Sequence, residues 1–98
     1  MEQLSDPPLL VMTSLAGGPK HGHAMLQDIE TISGARLGPG TLYGAIGRLE
    51  SEGLIERLPA QERRQPYRLT THGSRVLHSR LAAMRRVAAV GIARLSPR

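Results

Sequence analysis

Residues 39–58, PGTLYGAIGRLESEGLIERL, predict one helix, a glycine stop and an immediate strand. The opening proline suits the first turn of a helix, where its missing N–H costs nothing. Leu42, Ile46 and Leu49 then recur at intervals of four and three residues, which places an apolar stripe on one side of the helix. Gly53 favours the left-handed conformation that ends a helix, and residues 54–58 favour a short strand.

The rest of this helix predicts an outer face of small, hydroxyl and cationic groups. These residues are Thr41, Tyr43, Gly44, Gly47 and Arg48. A helix whose exposed face is uncharged near its start and cationic further on is a candidate for lying in a DNA groove. The stretch therefore indicates a winged helix-turn-helix DNA-binding protein.

Two more helices are predicted before this stretch. Asp6 followed by Pro7 is typical of a helix cap and a first-turn proline, and glycines at 17 and 18 end that helix. A second apolar pattern runs from Met25 to Ile32, and Gly34 closes it. Three helices of about ten residues with short glycine turns match a helix-turn-helix core.

A β-hairpin is predicted after the third helix. Residues 54–58 and 67–70 flank a polar segment whose tip carries Arg63 and Arg64. An isolated two-stranded ribbon is marginal in water, so the hairpin must lie against the helices. The tip is either a flexible cationic finger that reaches DNA or an ordinary solvated turn.

The remaining chain predicts one long helix from Thr71 to about Leu95, capped by Thr70 or Thr71. Six residues repeat at spacings of four and three and form a heptad seam for dimerisation: Leu77, Leu81, Met84, Ala88, Gly91 and Leu95. A core of this size cannot cover so apolar a helix, which favours a second subunit as its cover. The alternative is that the helix folds back on its own domain.

The charge is concentrated at one end of the chain. Residues 1–49 carry three cations against four acidic groups, whereas residues 50–98 carry ten arginines against four glutamates. No acidic residue follows Glu62. A basic field confined to one end favours a polyanion partner. A merely solvated surface is the alternative, but it usually interleaves glutamates among the arginines.

Several classes of function are disfavoured. The 98 residues contain no cysteine, and His21, His23, His72 and His78 have no further ligand at metal-binding spacing, so neither a metal nor a cofactor is expected. No recognisable motif supplies a nucleophile and base, so the protein is not expected to be an enzyme. No membrane span or signal peptide is expected, and cytoplasmic localisation follows by default.

The chain resembles the PadR family of bacterial transcriptional regulators from about residue 9 to residue 90. The motifs that carry the resemblance are the Gly-Pro-x-His-Gly turn at 18–22, Pro-Gly-Thr-Leu-Tyr at 39–43, Arg-Leu-Glu at 48–50, Glu-Gly-Leu-Ile at 52–55 and Tyr-Arg-Leu-Thr at 67–70 followed by Gly73. Two positions depart from the family pattern. Gly44 stands where proline is common, and Gly47 stands where a cation is frequent.

The resemblance implies a mainly α fold with a small β-hairpin, a winged helix-turn-helix with a long C-terminal dimerisation helix. Residues 1–70 would form the DNA-binding part and residues 71–98 the dimerisation helix, within a single compact unit. It also implies a homodimeric repressor on a palindromic operator of double-stranded DNA. A small-molecule effector is a possible partner of unknown identity. The chain has no Trp or Phe, so it lacks an aromatic slab for a ligand at the dimer interface.

Candidate DNA contacts follow from residue type and from the resemblance. Gly40 and Thr41 can offer backbone N–H groups and a hydroxyl to phosphate, while Tyr43 and Arg48 are the best readers of a base edge or a phosphate. The tyrosine has a structural alternative as a half-buried ring at the junction with the wing. The remaining candidates are Lys20, His21 and Gly22 at the start of the second helix, Arg36 in the inter-helix turn, and Arg63, Arg64 and Arg68 on the wing.

Two other functions are compatible with the sequence. One is a winged-helix module whose arginines face an acidic protein. The other is a ligand-binding dimer with an apolar central cavity and weak DNA binding. Log-linear salt dependence of DNA binding with retained sequence preference counts against the first. Thermal stabilisation by planar apolar compounds without operator preference favours the second.

Overall fold

The computed structural model describes residues 6–97 and contains four helices and three short strands in that range. The elements are α1 Pro7–Ala16, β1 Lys20–His21, α2 Gly22–Ser33, α3 Pro39–Ser51, β2 Ile55–Arg57, β3 Pro66–Leu69 and α4 Thr71–Leu95. The predicted mainly α fold with a small hairpin and a long C-terminal helix is confirmed. Residues 1–5 and 98, at the outer ends of the two predicted segments, lie outside the described residues.

The predicted helix ends are confirmed by their capping contacts. Asp6 Oδ1 accepts a hydrogen bond from the backbone N–H of Leu9 at 3.2 Å, which satisfies one free donor at the start of α1. Thr70, not Thr71, caps α4, because its hydroxyl oxygen accepts from the backbone N–H of Gly73 at 2.9 Å. Gly53 follows α3 with a φ of 73°, as its predicted stop function requires.

The sheet has a third strand that the sequence did not predict. All pairings are antiparallel, and the strand order is β1-β3-β2. Lys20 and His21, predicted as a turn, pair with Tyr67 and Pro66 on the otherwise free edge of β3. Because this strand is only two residues long, it carries no alternating pattern that a sequence could reveal.

The core lies around α1, which packs against α2, α3, α4 and β3. Val11 and Met12 of α1 are fully buried, together with Met25, Ile29 and Leu42 from the next two helices. Each such side chain contributes about 1.5–3 kcal/mol on removal from water. The crowded apolar residues of the first helix are therefore explained by neighbours on several sides.

The tip of the hairpin is a tight turn, which the sequence left open as either a flexible finger or an ordinary solvated turn; its contact with DNA stays a prediction. Gln61 and Arg64 exchange two backbone hydrogen bonds of 2.9 and 2.7 Å. Glu62 and Arg63 between them both have positive φ, 46° and 68°, as in a type I′ turn. Such turns favour asparagine and glycine, so a Glu-Arg pair holds this turn at a conformational cost.

Helix α4 leaves the domain after its second turn. Leu77 is only 4% exposed and belongs to the core, whereas every residue from 78 to 95 is exposed. The radius of gyration is 15.1 Å, compared with about 13 Å for a compact domain of this length. The alternative in which this helix folds back on its own domain is therefore wrong. No helix within residues 6–97 is long and apolar enough to cross a membrane.

Tyr67 predicts a loss of stability at alkaline pH. Its burial raises the pKa of the hydroxyl above the ordinary value, and the nearby Arg57 only partly offsets this shift. The folded state therefore holds the proton more tightly, so the free energy of unfolding falls as pH rises from the unfolded pKa of about 10 through the folded value. We expect the free energy of unfolding, measured by urea titration, to fall less for Tyr67→Phe than for the wild type as the pH rises above about 10. Parallel curves for the two proteins would contradict this expectation.

Candidate nucleic-acid interface

The outer side of α3 is a line of bare backbone. Leu42, Ala45, Ile46 and Leu49 are buried, and the residues on the opposite side recur at intervals of four, three and four. They are Gly40, Gly44, Gly47 and Ser51, all exposed. Beyond the adjacent residues and the helix's own backbone, a Cβ atom added at any of the three glycines would meet no atom within 4 Å. We call these four residues the bare line, because another molecule can approach the helix backbone there.

Tyr43 lies beside the bare line, and its ring packs against the start of α2. Its side chain is 53% exposed, and the ring covers Gly22 so closely that an added Cβ would overlap the hydroxyl and lie 2.8 Å from Cζ. Glycine at position 22 is therefore required for this packing. The half-exposed ring is a junction residue, as its structural alternative predicted, and its contact with DNA stays a prediction.

The wing tip and the start of α2 meet around one cavity of about 340 Å³. It is lined by His21, Gly22, His23, Tyr43, Arg63, Arg64 and Gln65. We call these seven residues the wing cluster. Five of them were predicted as DNA contacts from separate parts of the sequence, and the fold brings them together. His23 and Gln65 were missed, although the first adjoins the family-like turn and the second adjoins the tip.

His21 joins the two elements of this cluster. Its Nδ1 lies 3.4 Å from the backbone nitrogen of Ala24, where it caps α2, and its Nε2 lies 3.4 Å from Nη1 of Arg64. Its backbone pairs with Pro66 at the base of the wing. The start of α2 and the wing are therefore held in register by the same residue.

Lys20 is placed differently from the rest of its predicted group. Its ammonium donates to the backbone oxygen of Ser14 at 2.6 Å and lies 3.8 Å from Asp28 Oδ2. Its side chain is 21% exposed. The lysine therefore closes the C-terminal end of α1 against α2, and the DNA contact predicted for it is not supported by this position.

Three other predicted arginines are paired with carboxylates away from the wing cluster. Arg36 donates to Glu30 at 2.8 Å, and this hydrogen bond raises the pKa of the guanidinium. Arg68 donates to Glu56 at 2.7 Å across the sheet. Arg48 lies 3.7 Å from Glu52 at the rim of a groove between α1, α3 and α4, beside the bare line rather than on it. These exposed pairs are weak, so each arginine can exchange its partner for a phosphate.

The family model of the transcriptional regulator PadR-like family matches residues 11–79, from α1 into α4. The chain belongs to the PadR-like family. Members of this family are DNA-binding transcriptional regulators and not enzymes. The family predicted from the sequence motifs is therefore confirmed.

The chain is similar to two curated proteins and to a solved structure. Over 83 residues, 85% of the chain, it is 43% identical to an uncharacterized 37.1 kDa protein in transposon TN4556 of Streptomyces fradiae, of which it spans 24%. It is 33% identical to the transcriptional activator GvpE2 of Halobacterium salinarum over 74% of the chain and 37% of that protein. A PadR family transcription regulator from hypervirulent Clostridium difficile has a similar structure, with a TM-score of 0.81 and 25% identity over 92% of the chain and 98% of that one. The chain thus spans well under half of both curated relatives.

The strained turn at the wing tip gives a prediction at Arg63. Arg63→Gly removes both the charge and the strain of a positive φ, whereas Arg63→Ala removes the charge alone. We expect the glycine variant to be more stable than the alanine variant by about 1 kcal/mol in urea unfolding. Both variants should lose the same amount of DNA affinity. Equal stabilities would show that the left-handed turn is not kept in solution.

Proposed function

We propose that this chain is a sequence-specific DNA-binding transcriptional regulator that acts as a homodimer. The bare line of α3 would enter the major groove, and the wing cluster would hold the neighbouring backbone and minor groove. The observation that carries this proposal is that the wing cluster adjoins the bare line through Tyr43, the member of the cluster that lies beside that line on α3. A convex helix next to a cationic cavity matches the shape and the charge of duplex DNA.

The charge distribution supports the same orientation. Arg36, Arg48, Arg57, Arg68 and Arg80 each pair with a carboxylate. Within residues 6–97, four arginines of α4 (Arg75, Arg85, Arg86 and Arg94) have no such partner, and neither do the two arginines of the wing tip. Their charge is therefore available to phosphate without the loss of an existing ion pair.

The proposed dimer interface is the exposed part of the heptad seam on α4. Leu81, Met84, Ala88, Gly91 and Leu95 are all exposed, and the last of them reaches 85%. Leu77, predicted as the first seam residue, is instead the last layer of its own core. We propose that residues 71–98 dimerise while residues 1–70 bind DNA, and that the first two turns of α4 join the two parts into one unit.

The symmetry of a homodimer defines the operator that we propose. Two α3 helices related by a two-fold axis would enter successive major grooves about 34 Å apart and so read a palindromic site. Repression would follow where this site overlaps a promoter. The Halobacterium relative is named an activator, so an assay of transcription from a template with the site at its natural position is needed to decide between repression and activation.

The bare line gives a prediction for groove contact. Replacing Gly44 and Gly47 together with alanine should raise the free energy of unfolding by about 2 kcal/mol, because glycine is a poor helix former and both positions are open. If the helix backbone approaches the base edges, the added methyl groups should weaken operator binding while binding to random DNA is retained. Unchanged operator affinity together with higher stability would contradict a deep position of α3.

A selection from random duplexes, followed by footprinting, tests the proposed function. We expect an enriched palindrome with half-sites about one helical turn apart, protected by two protomers. Enrichment of no sequence, with binding to acidic proteins, would favour the protein-interaction module. Thermal stabilisation by planar apolar compounds without an enriched sequence would favour the ligand-binding dimer. Regulation by an effector remains a proposal that the same assay can test with candidate compounds.

A further inference from the structure

The two contacts of the His21 ring cannot both be hydrogen bonds to a neutral imidazole. The backbone N–H of Ala24 and the guanidinium of Arg64 are both donors. A neutral ring has one acceptor nitrogen and one N–H group. When Nδ1 accepts from Ala24 as the cap of α2, Nε2 carries the proton and faces Nη1 of Arg64, donor to donor, at 3.4 Å.

Two donors that converge in this way are both satisfied by one anionic oxygen. Among residues 6–97, the cavity beside them is lined by cationic and neutral groups and by no carboxylate, whereas Glu62 lines a separate cavity that His21 and Arg64 also border. The hydroxyl of Tyr43 lies over Gly22 at the start of α2, where the helix dipole also favours a negative charge. Arg63 adds a second cationic side chain to the lining of this cavity.

We propose that this cavity binds one phosphodiester group of the DNA backbone. Both His21 and Arg64 would donate hydrogen bonds to that phosphate. The inference rests on the proposed function and adds a defined contact to it. His21 acts as a neutral donor through Nε2 while Nδ1 keeps α2 capped. The same phosphate therefore fixes the wing against α2 and sets the register of the wing relative to α3.

Two variants separate this contact from the structure around it. His21→Asn keeps a side chain that caps helices well and removes the Nε2 donor. Arg64→Gln removes the charge and keeps the length of the side chain approximately. His72→Asn is the matched control, because His72 is exposed at the start of α4. Circular dichroism and thermal unfolding establish that all three variants fold.

The experiment measures the affinity of each protein for its selected duplex, with each phosphate in turn replaced by a neutral methylphosphonate. We expect the wild type to lose about tenfold in affinity at one phosphate in each half-site. On unmodified DNA, His21→Asn and Arg64→Gln should each bind about tenfold more weakly than the wild type. The slope of log affinity against log salt concentration should also be smaller, by the amount expected for about one phosphate contact per protomer. On the duplex that carries the methylphosphonate at that phosphate, both variants should bind with the affinity of the wild type. His72→Asn should match the wild type on every duplex.

The outcomes distinguish this inference from the proposed function. If the wild type binds its duplex selectively but both variants lose further affinity on every modified duplex, the shared phosphate contact is wrong and the proposed function stands. If the wild type has no sequence preference, the proposed function itself fails. Inorganic phosphate at constant ionic strength tests the other source of this ligand. Strong competition that disappears in Arg64→Gln would overturn DNA as the occupant, and weak competition is expected.

Discussion

Replacing Gly73 with alanine is expected to destabilise the folded chain by about 3 kcal/mol. A Cβ atom at this position would overlap the backbone oxygen of Leu54 and lie 2.9 Å from its carbonyl carbon. The overlap involves backbone on both sides, so no side-chain rotation relieves it. The start of α4 cannot shift away easily, because the Thr70 hydroxyl donates to the backbone oxygen of Gly53 at 2.7 Å and the Thr70 N–H donates to that of Leu54 at 3.1 Å.

Urea unfolding followed by circular dichroism measures this effect. Gly47→Ala is the matched control, since its added Cβ enters open space and should stabilise α3 by about 1 kcal/mol. Opposite signs for the two substitutions are the expected result. A midpoint for Gly73→Ala equal to that of the wild type would show that α4 does not approach Leu54 as described.

Replacing Met84 with glutamate is expected to convert the proposed dimer to monomers. Met84 lies within the exposed seam of α4, 40% exposed in the single chain, and pairing would bury it against a second copy. A buried, unpaired carboxylate costs several kcal/mol, so the dimer dissociation constant should rise by more than about a hundredfold. Operator affinity should fall with it, because two half-sites would no longer be bound by one linked pair.

Sedimentation equilibrium over a range of concentrations measures this change. The control is Ala82→Glu, which adds the same charge on the side of α4 turned away from the seam. We expect the control to remain a dimer and to bind DNA. A dimeric Met84→Glu variant would show that the interface lies elsewhere.

The sequence predicted the elements whose signals are local. Asp6, Gly53 and Thr70 mark helix ends through side-chain caps or backbone freedom, and both properties belong to the residue itself. The apolar repeats also predicted α3 and α4, because the same helical spacing of apolar residues continues over the length of each helix. These features were sufficient for the winged helix and its long last helix.

Features that depend on distant partners were not predictable. The strand at Lys20–His21 exists because β3 offers an open edge some 45 residues further on. The inward position of Lys20 depends on Asp28 and on the end of α1. Leu77 follows the seam spacing perfectly, yet it is covered by its own core, because spacing alone does not show where a helix leaves a domain. The I′ turn was hidden because Glu and Arg are not typical of it.

If α3 and the wing cluster contact DNA as proposed, DNA binding depends both on the sequence of the duplex and on the salt concentration. Fluorescence anisotropy with the duplex immediately upstream of the gene and with a scrambled duplex, each at two salt concentrations, tests this most directly. We predict tight binding to the upstream duplex, with two protomers per site and a salt dependence that leaves the preference intact. Equal and steeply salt-dependent binding to both duplexes would contradict sequence-specific recognition by α3 at that site.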